Sequence, residues 1–202
     1  MSVAVIYFSE SGNTHQVAGA ISDGVLQQGV ECQLLRVTGD QIVNGRFIAE
    51  DYFSEIDQCS AVVFGSPTYM GGPAAQFKAF CDASSDLWEN QLWSGKLAAG
   101  FTVGSNPGGD QLATLQYFSI LAAQHGMLWV NQELPDDKAC NDKAGLYAQL
   151  GYAGVVAGSG ISQADKVTAA RLGSRVALLA RTIHEMASIS RRDLVSQCLV
   201  LK

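Results

Sequence analysis

The sequence predicts an α/β fold of three layers: a five-stranded parallel sheet with helices on both faces. Three observations predict it. Short continuous apolar runs, rich in β-branched and aromatic residues, recur at 3–8, 30–37, 60–66, 96–104 and 127–130. Such runs are strands buried on both faces, because polar alternation arises only where one face meets water. Helical periods of apolar residues separate most of these runs. Clusters of Ser, Gly and Asn follow the first and fourth runs, and a Pro-Thr-Tyr-Met-Gly-Gly loop follows the third.

The first strand is VAVIYF over 3–8, and Ser9 to Asn13 is a small polar loop. From Thr14 the residues Val17, Ile21, Gly24, Val25 and Gln28 recur with a helical period, and Gly29 stops that helix. VECQLLRV over 30–37 is a second strand, and 38–58 is polar and irregular. SAVVFGS over 60–66 is a third strand. Pro73 is expected to open the next helix, because its fixed φ and missing N–H suit a first helical position. Phe77, Phe80, Cys81 and Ser84 then line the inner face of that helix. KLAAGFTVG over 96–104 is a fourth strand, 111–124 an apolar helix, and MLWV a fifth strand. Segment 131–162 has no clear period, and a connection of that length often marks a functional loop. A final helix covers 163–186, with Ala169, Leu172, Val176, Leu179 and Ile183 in register. Residues 187–202 read as a flexible or interface tail. With no repeat and no Pro/Ser-rich linker, 1–202 is expected to be a single domain. Alternation of strand and helix in this order suits the flavodoxin-like winding.

Composition bounds the function. Charged residues are only 16% and hydrophobic residues 48% of the 202, which excludes general disorder. A net charge of −6 makes the chain a poor ligand for nucleic acid or an anionic membrane. A phosphate would have to be held by local neutral donors. Cys32, Cys59, Cys81, Cys140 and Cys198 are scattered without a C-x-x-C, so disulfide, zinc and iron–sulfur spacings all fail, and no metal is expected. The N-terminus reads as a strand rather than a signal peptide, and no run reaches transmembrane length. The expectation is a cytoplasmic protein with no nucleic-acid or membrane partner.

In open parallel sheets ligands bind beyond the carboxyl ends of the strands. The loop after the first strand is Ser9-Glu10-Ser11-Gly12-Asn13-Thr14. It leads into a helix, whose free N–H groups and dipole favour an anion. It matches neither a P-loop nor a G-x-G-x-x-G motif. Its plain alternative is an ordinary capped helix. The loop after the third strand is Ser66-Pro67-Thr68-Tyr69-Met70-Gly71-Gly72-Pro73. Its glycines would let backbone approach a flat ligand, and Thr68, Tyr69 and the following N–H groups are candidate donors to ring heteroatoms. The third loop, Ser105-Asn106-Pro107-Gly108-Gly109-Asp110, offers the same mixture. Each string alone is more often a plain turn; their joint position beside the anion loop makes a flavin site the expectation. Glu10 is expected to point to solvent, and Asp110 to cap the following helix.

The run Val5-Ile6-Tyr7-Phe8-Ser9-Glu10-Ser11-Gly12-Asn13-Thr14 resembles the FMN-phosphate signature of flavodoxins. The stretch from Gly65 to Val130 resembles the flavodoxin-fold NAD(P)H:quinone oxidoreductases, relatives of the tryptophan-repressor-binding protein A. Segment 139–160 is closer to other NAD(P)H-dependent reductases of the flavodoxin family. The resemblance implies FMN held by Ser9 to Thr14, with the ring between Pro67 to Gly72 and Ser105 to Gly109. It implies that Trp88 and His125 wall the site, part of the wall coming from neighbouring subunits. His125 would donate a hydrogen bond to the acceptor as a catalytic residue. From its position at a helix C-terminus, a protonated imidazole is expected.

The implied reaction is two-electron transfer from NADH or NADPH through FMN to a quinone-like acceptor in a homo-oligomer, dimer or tetramer. Two other readings stay open. One is a flavodoxin-type one-electron carrier, disfavoured by the lack of an aromatic residue in SNPGGD. The other is a flavin-free regulatory or scaffold protein.

Overall fold

The computed structural model describes residues 1–106, 109–133, 150–156 and 160–200, with side chains described as far as residue 187. The order is β1 (Ser2–Phe8), α1 (Asn13–Gln27), β2 (Glu31–Val37), β3 (Ile42–Val43), β4 (Arg46–Phe47), α2 (Asp51–Asp57) and β5 (Ala61–Tyr69). It continues with β6 (Gly72–Pro73), α3 (Ala75–Ala83), α4 (Ser85–Trp88), β7 (Leu97–Gly104), α5 (Gln111–Gln124), β8 (Leu128–Trp129), β9 (Tyr152–Val155) and α6 (Gln163–Val200).

The main sheet runs β2-β1-β5-β7, with β8 and β9 both on the outer edge of β7 and every one of these pairings parallel. The expected fifth strand is therefore present in two pieces. β8 pairs with Leu97 and Ala98, and β9 pairs with Phe101 to Gly104. The long segment between them interrupts the strand and then lets it resume. Among the described residues the one antiparallel addition to this sheet is β6, which folds back on the tip of β5.

Successive side chains of a strand point to opposite faces. On one face Val3, Val5, Tyr7, Ala61, Val63, Phe101 and Val103 pack under α1 and α6. On the other Ala4, Ile6, Phe8, Val62 and Phe64 meet Phe77 and Phe80 of α3, Phe118 of α5, and Trp93. Both faces are covered, which is why the strands read as unbroken apolar runs.

Helices α1 and α6 cross backbone to backbone. A Cβ on Gly24 would lie 1.9 Å from the Ala170 carbonyl oxygen, and one on Gly173 would lie 2.0 Å from that of Ile21.

Several expectations need correction. Pro73 does not open α3: it lies in β6, paired with Thr68, and the helix begins at Ala75. Segment 38–58 is not irregular. It holds the β3–β4 hairpin, turned by Asn44 and Gly45 with φ of 50° and 78°, and then α2. The last helix does not stop at 186 but continues to Val200. Ala169, Leu172 and Val176 are buried as expected, whereas Ile183 is exposed. None of the helices, among the described residues, is long and apolar enough to cross a membrane.

Candidate functional site

β1, β5 and β7 end at the same edge of the sheet, and their exit loops lie side by side there. The first loop leaves Phe8 and enters α1 at Gly12, whose φ is +88°. Gly12 has no side chain with which to cap this helix, and the first turn carries no acid. The first N–H groups of a helix have no intrahelical acceptor, so those that no side chain takes stay available to an anion. The capped-helix alternative holds in part, for one of these N–H groups, that of His15, is taken by a side chain. Ser9 is buried, and its Oγ accepts the His15 N–H at 3.2 Å. Asn13 Nδ2 donates to Ser11 Oγ at 3.0 Å, Thr14 is buried, and Glu10 is exposed.

Two neighbours of this loop are not legible in the motif. Arg36, at the carboxyl end of β2, donates from its guanidinium to the Ser9 carbonyl at 2.6 Å. Tyr7 and His15 share a 2.6 Å hydrogen bond between the phenol oxygen and Nδ1. A wholly cation-free cradle is thus not what the fold builds. Arg36 is placed by the parallel register that sets it opposite Tyr7, a relationship that only the sheet creates.

The second loop is a tight hairpin. Tyr69 pairs with Gly72, and the two residues between them, Met70 and Gly71, have φ of 48° and 79°. Positive φ at both central residues is the type I′ pattern. Tyr69 and Met70 point outward and are exposed. Thr68 points inward: its Oγ1 lies 2.7 Å from Thr102 Oγ1 and 2.8 Å from Thr114 Oγ1.

The third loop meets the second directly, for a Cβ on Gly71 would touch Asp110 Cβ at 3.8 Å. Gly109 N–H closes a turn on the Asn106 carbonyl at 3.1 Å. Pro107 and Gly108 lie outside the described residues. Asp110 occupies the N-cap position of α5 with φ of 55°, but its side chain makes no capping bond, contrary to expectation. Gln111 does the fastening instead, donating from buried Nε2 to the Gly154 carbonyl at 2.5 Å. The chain after β9 returns to the first loop, where a Cβ on Gly160 would lie 3.5 Å from Asn13 Oδ1.

Trp88 and His125 do not join these loops within one chain. α5 begins beside the third loop and spans fourteen residues, about 20 Å, before it reaches His125. His125 therefore sits at the opposite edge of the sheet, 2% exposed, with its ring 4.5 Å from that of Trp93. Ser84 Oγ lies 2.9 Å from Nε2 and donates its own proton to the Cys81 carbonyl at 2.7 Å. It can only accept from the imidazole, so Nε2 carries the proton. Buried Nδ1 has no partner among the described residues. Burial pushes the pKa of His125 down. The expected protonated imidazole is corrected to a neutral one: burial outweighs the helix dipole. Trp88, 47% exposed, shares that far groove with Cys81, Ser84 and His125.

A doubly wound sheet that gathers a helix N-terminus and two main-chain-rich loops at one edge defines a flavodoxin-like fold. Its residues fit FMN. A phosphate monoester suits neutral N–H and hydroxyl donors at α1, and a flat ring suits hairpin and turn backbone with the side chains of Tyr69 and Met70 turned out.

Comparison with known proteins narrows the class. The model of the NADPH-dependent FMN reductase family matches residues 1–141, and the chain belongs to that family. It is an oxidoreductase of the flavodoxin-like fold. Flavodoxin FldP of Pseudomonas aeruginosa is 31% identical over 89% of this chain and 97% of its own. An NAD(P)H dehydrogenase (quinone) of Archaeoglobus fulgidus is 32% identical over 90% of this chain and 98% of its own. The crystal structure of a WrbA-like flavodoxin from Agrobacterium tumefaciens is 36% identical, with a TM-score of 0.71 over 90% of this chain and 98% of that one. The family resemblance read from the sequence is thereby confirmed.

Proposed function

We propose that the protein is an FMN-dependent NAD(P)H:quinone oxidoreductase that passes two electrons from NADH or NADPH to a quinone-like acceptor. The observation that carries the reading is the α1 N-terminus, entered through a glycine N-cap, beside two loops that expose main chain. Bound FMN would supply the two-electron chemistry, as cofactors do in such enzymes. The chain's own residues place it. Ser9, Glu10 (through its N–H), Ser11, Gly12, Asn13 and Thr14 hold the phosphate end. The main chain of Pro67 to Gly72 would meet the ring. The N–H groups of Ser105, Asn106 and Gly108 would serve the pyrimidine end, where negative charge develops, with Pro107 and Gly109 as the rest of the same loop. SNPGGD contains no aromatic residue, so it brings no ring to stack on the flavin, and a face is left for donor and acceptor in turn.

Residues 1–202 are taken as one domain working in the cytoplasm. Trp88, Leu92, Ile120 and Leu128 are large apolar side chains left half exposed, and we take them to be covered in a homo-oligomer. A role for Trp88 or His125 at a ring would then require the ring of a neighbouring copy. Light scattering that returns a particle of 21 kDa would reject the oligomer.

The test of function is steady-state NAD(P)H oxidation with benzoquinone by FMN-loaded protein. Turnover with both substrates required supports the enzyme. Absence of turnover, with flavin reduced in two separate one-electron steps, would favour a carrier. That second reading draws on the relative named a flavodoxin. A protein that takes up no FMN would favour a flavin-free scaffold.

A further inference from the structure

Three threonines from three elements meet under the ring-side loops. Thr68 is the last but one residue of β5, Thr102 lies in β7, and Thr114 lies one turn into α5. Thr102 and Thr114 are fully buried. The direction of each proton follows from one fixed point. Thr102 Oγ1 lies 2.8 Å from the Ser66 carbonyl, which can only accept, so Thr102 spends its single proton there. At its 2.7 Å contact with Thr68 it must then accept, and Thr68 donates. The Thr68 proton being spent, the 2.8 Å contact with Thr114 must run from Thr114 to Thr68. Ser66 is bound a second time, for the Ala74 N–H donates to its Oγ at 2.8 Å and that hydroxyl donates to the Pro67 carbonyl at 2.9 Å.

We propose that Thr114, Thr68 and Thr102 form a one-way hydroxyl chain that locks the 66–73 hairpin to the start of α5, so that the two ring-side loops hold FMN as one rigid piece. These are positioning residues, and the proposal rests on the flavin reading of the site. Two consequences follow. Thr68 has no proton left to donate to a ring heteroatom. And because α5 begins where the third loop ends, any slip of one loop past the other strands buried hydroxyls without partners, which is costly.

The variant T114V removes the head of the chain at nearly constant volume, and T114S keeps the hydroxyl. Two measurements are made: hydrogen exchange of the 66–73 peptide in apoprotein, and FMN affinity of apoprotein from quenching of flavin fluorescence. T114V should speed exchange in the hairpin and weaken FMN, each about tenfold, the loss of one buried hydrogen bond. T114S should stay within about twofold of the parent in both. T102V and T102S repeat the comparison at the other end if T114V does not fold. A T114V protein that matches the parent overturns the proposal. So does a T114S protein that loses as much as T114V, because packing would then be the cause. A parent that takes up no FMN sinks the flavin reading instead, while the exchange comparison still decides whether the chain locks the loops.

Discussion

The Arg36 guanidinium donates a 2.6 Å hydrogen bond to the main-chain carbonyl of Ser9. This sets a full positive charge at the entrance of a loop otherwise made of neutral donors, in a chain of net charge −6. Arg36 is exposed, so its field is screened by solvent and salt. We expect R36Q, which keeps a donor and loses the charge, to weaken FMN about threefold at low salt. The gap should close as salt is raised. Titrations at low and high ionic strength check this, and equal affinities at low salt would show that the charge is not felt at the phosphate.

His125 makes stability depend on pH. Burial lowers its folded pKa below the ordinary histidine value near 6.5. The stability tied to the neutral ring is complete above the unfolded pKa. It is lost as pH falls through about 6.5 toward the lower folded value, by at most about 1.4 kcal/mol per pH unit. Protonation would place a charge on Nδ1, which is buried and has no partner among the described residues. Urea unfolding between pH 7 and about 5.5, above the carboxylate range, reads this slope. H125Q should flatten it. A parent slope unchanged in H125Q would assign the effect elsewhere.

The glycines of α1 divide by what they face. At Gly24 a Cβ would strike the Ala170 carbonyl oxygen at 1.9 Å, a backbone atom that cannot swing aside. G24A should cost about 2 kcal/mol or more by forcing α1 and α6 apart. Nothing lies within 4 Å of a Cβ on Gly19 in the same helix. G19A should stabilise by about 0.5–1 kcal/mol, the propensity gain alone. Denaturant midpoints of the pair separate close packing from propensity, and equal signs would refute the distinction.

The central sheet and the first loop could be read from the sequence because both are local. A strand buried on two faces must be apolar throughout, and SESGNT carries its donors within one turn of the helix it begins. What could not be read is what the register and the crossings bring together. Arg36 meets Ser9 because β2 lies parallel to β1, and Thr68, Thr102 and Thr114 meet because three elements end at one edge. β9 was hidden because four residues with a central glycine show no period, and its pairing depends on a strand some fifty residues back. The distance of His125 from the loops of its own chain is illegible for the opposite reason. The string Gln-His-Gly resembles a site motif, but the length of α5 puts it at the far edge of the sheet.

The hairpin tip stores strain that a single change can relieve. Met70 sits at φ 48° with its side chain wholly exposed, between Tyr69 and Gly71. A non-glycine residue in the left-handed region is disfavoured, and asparagine tolerates it best because its short side chain bonds locally. Asn-Gly is also the preferred pair for a type I′ turn. M70N should therefore stabilise the protein by about 0.5–1 kcal/mol and raise its Tm by about 2 °C, since no packed contact is lost. Hairpin exchange in the apoprotein should slow in parallel. If Met70 also shields the site, the KM for a quinone acceptor will rise in M70N while stability still increases. A fall in stability would mean that the methionine side chain holds the turn, and that the positive φ is not the dominant cost.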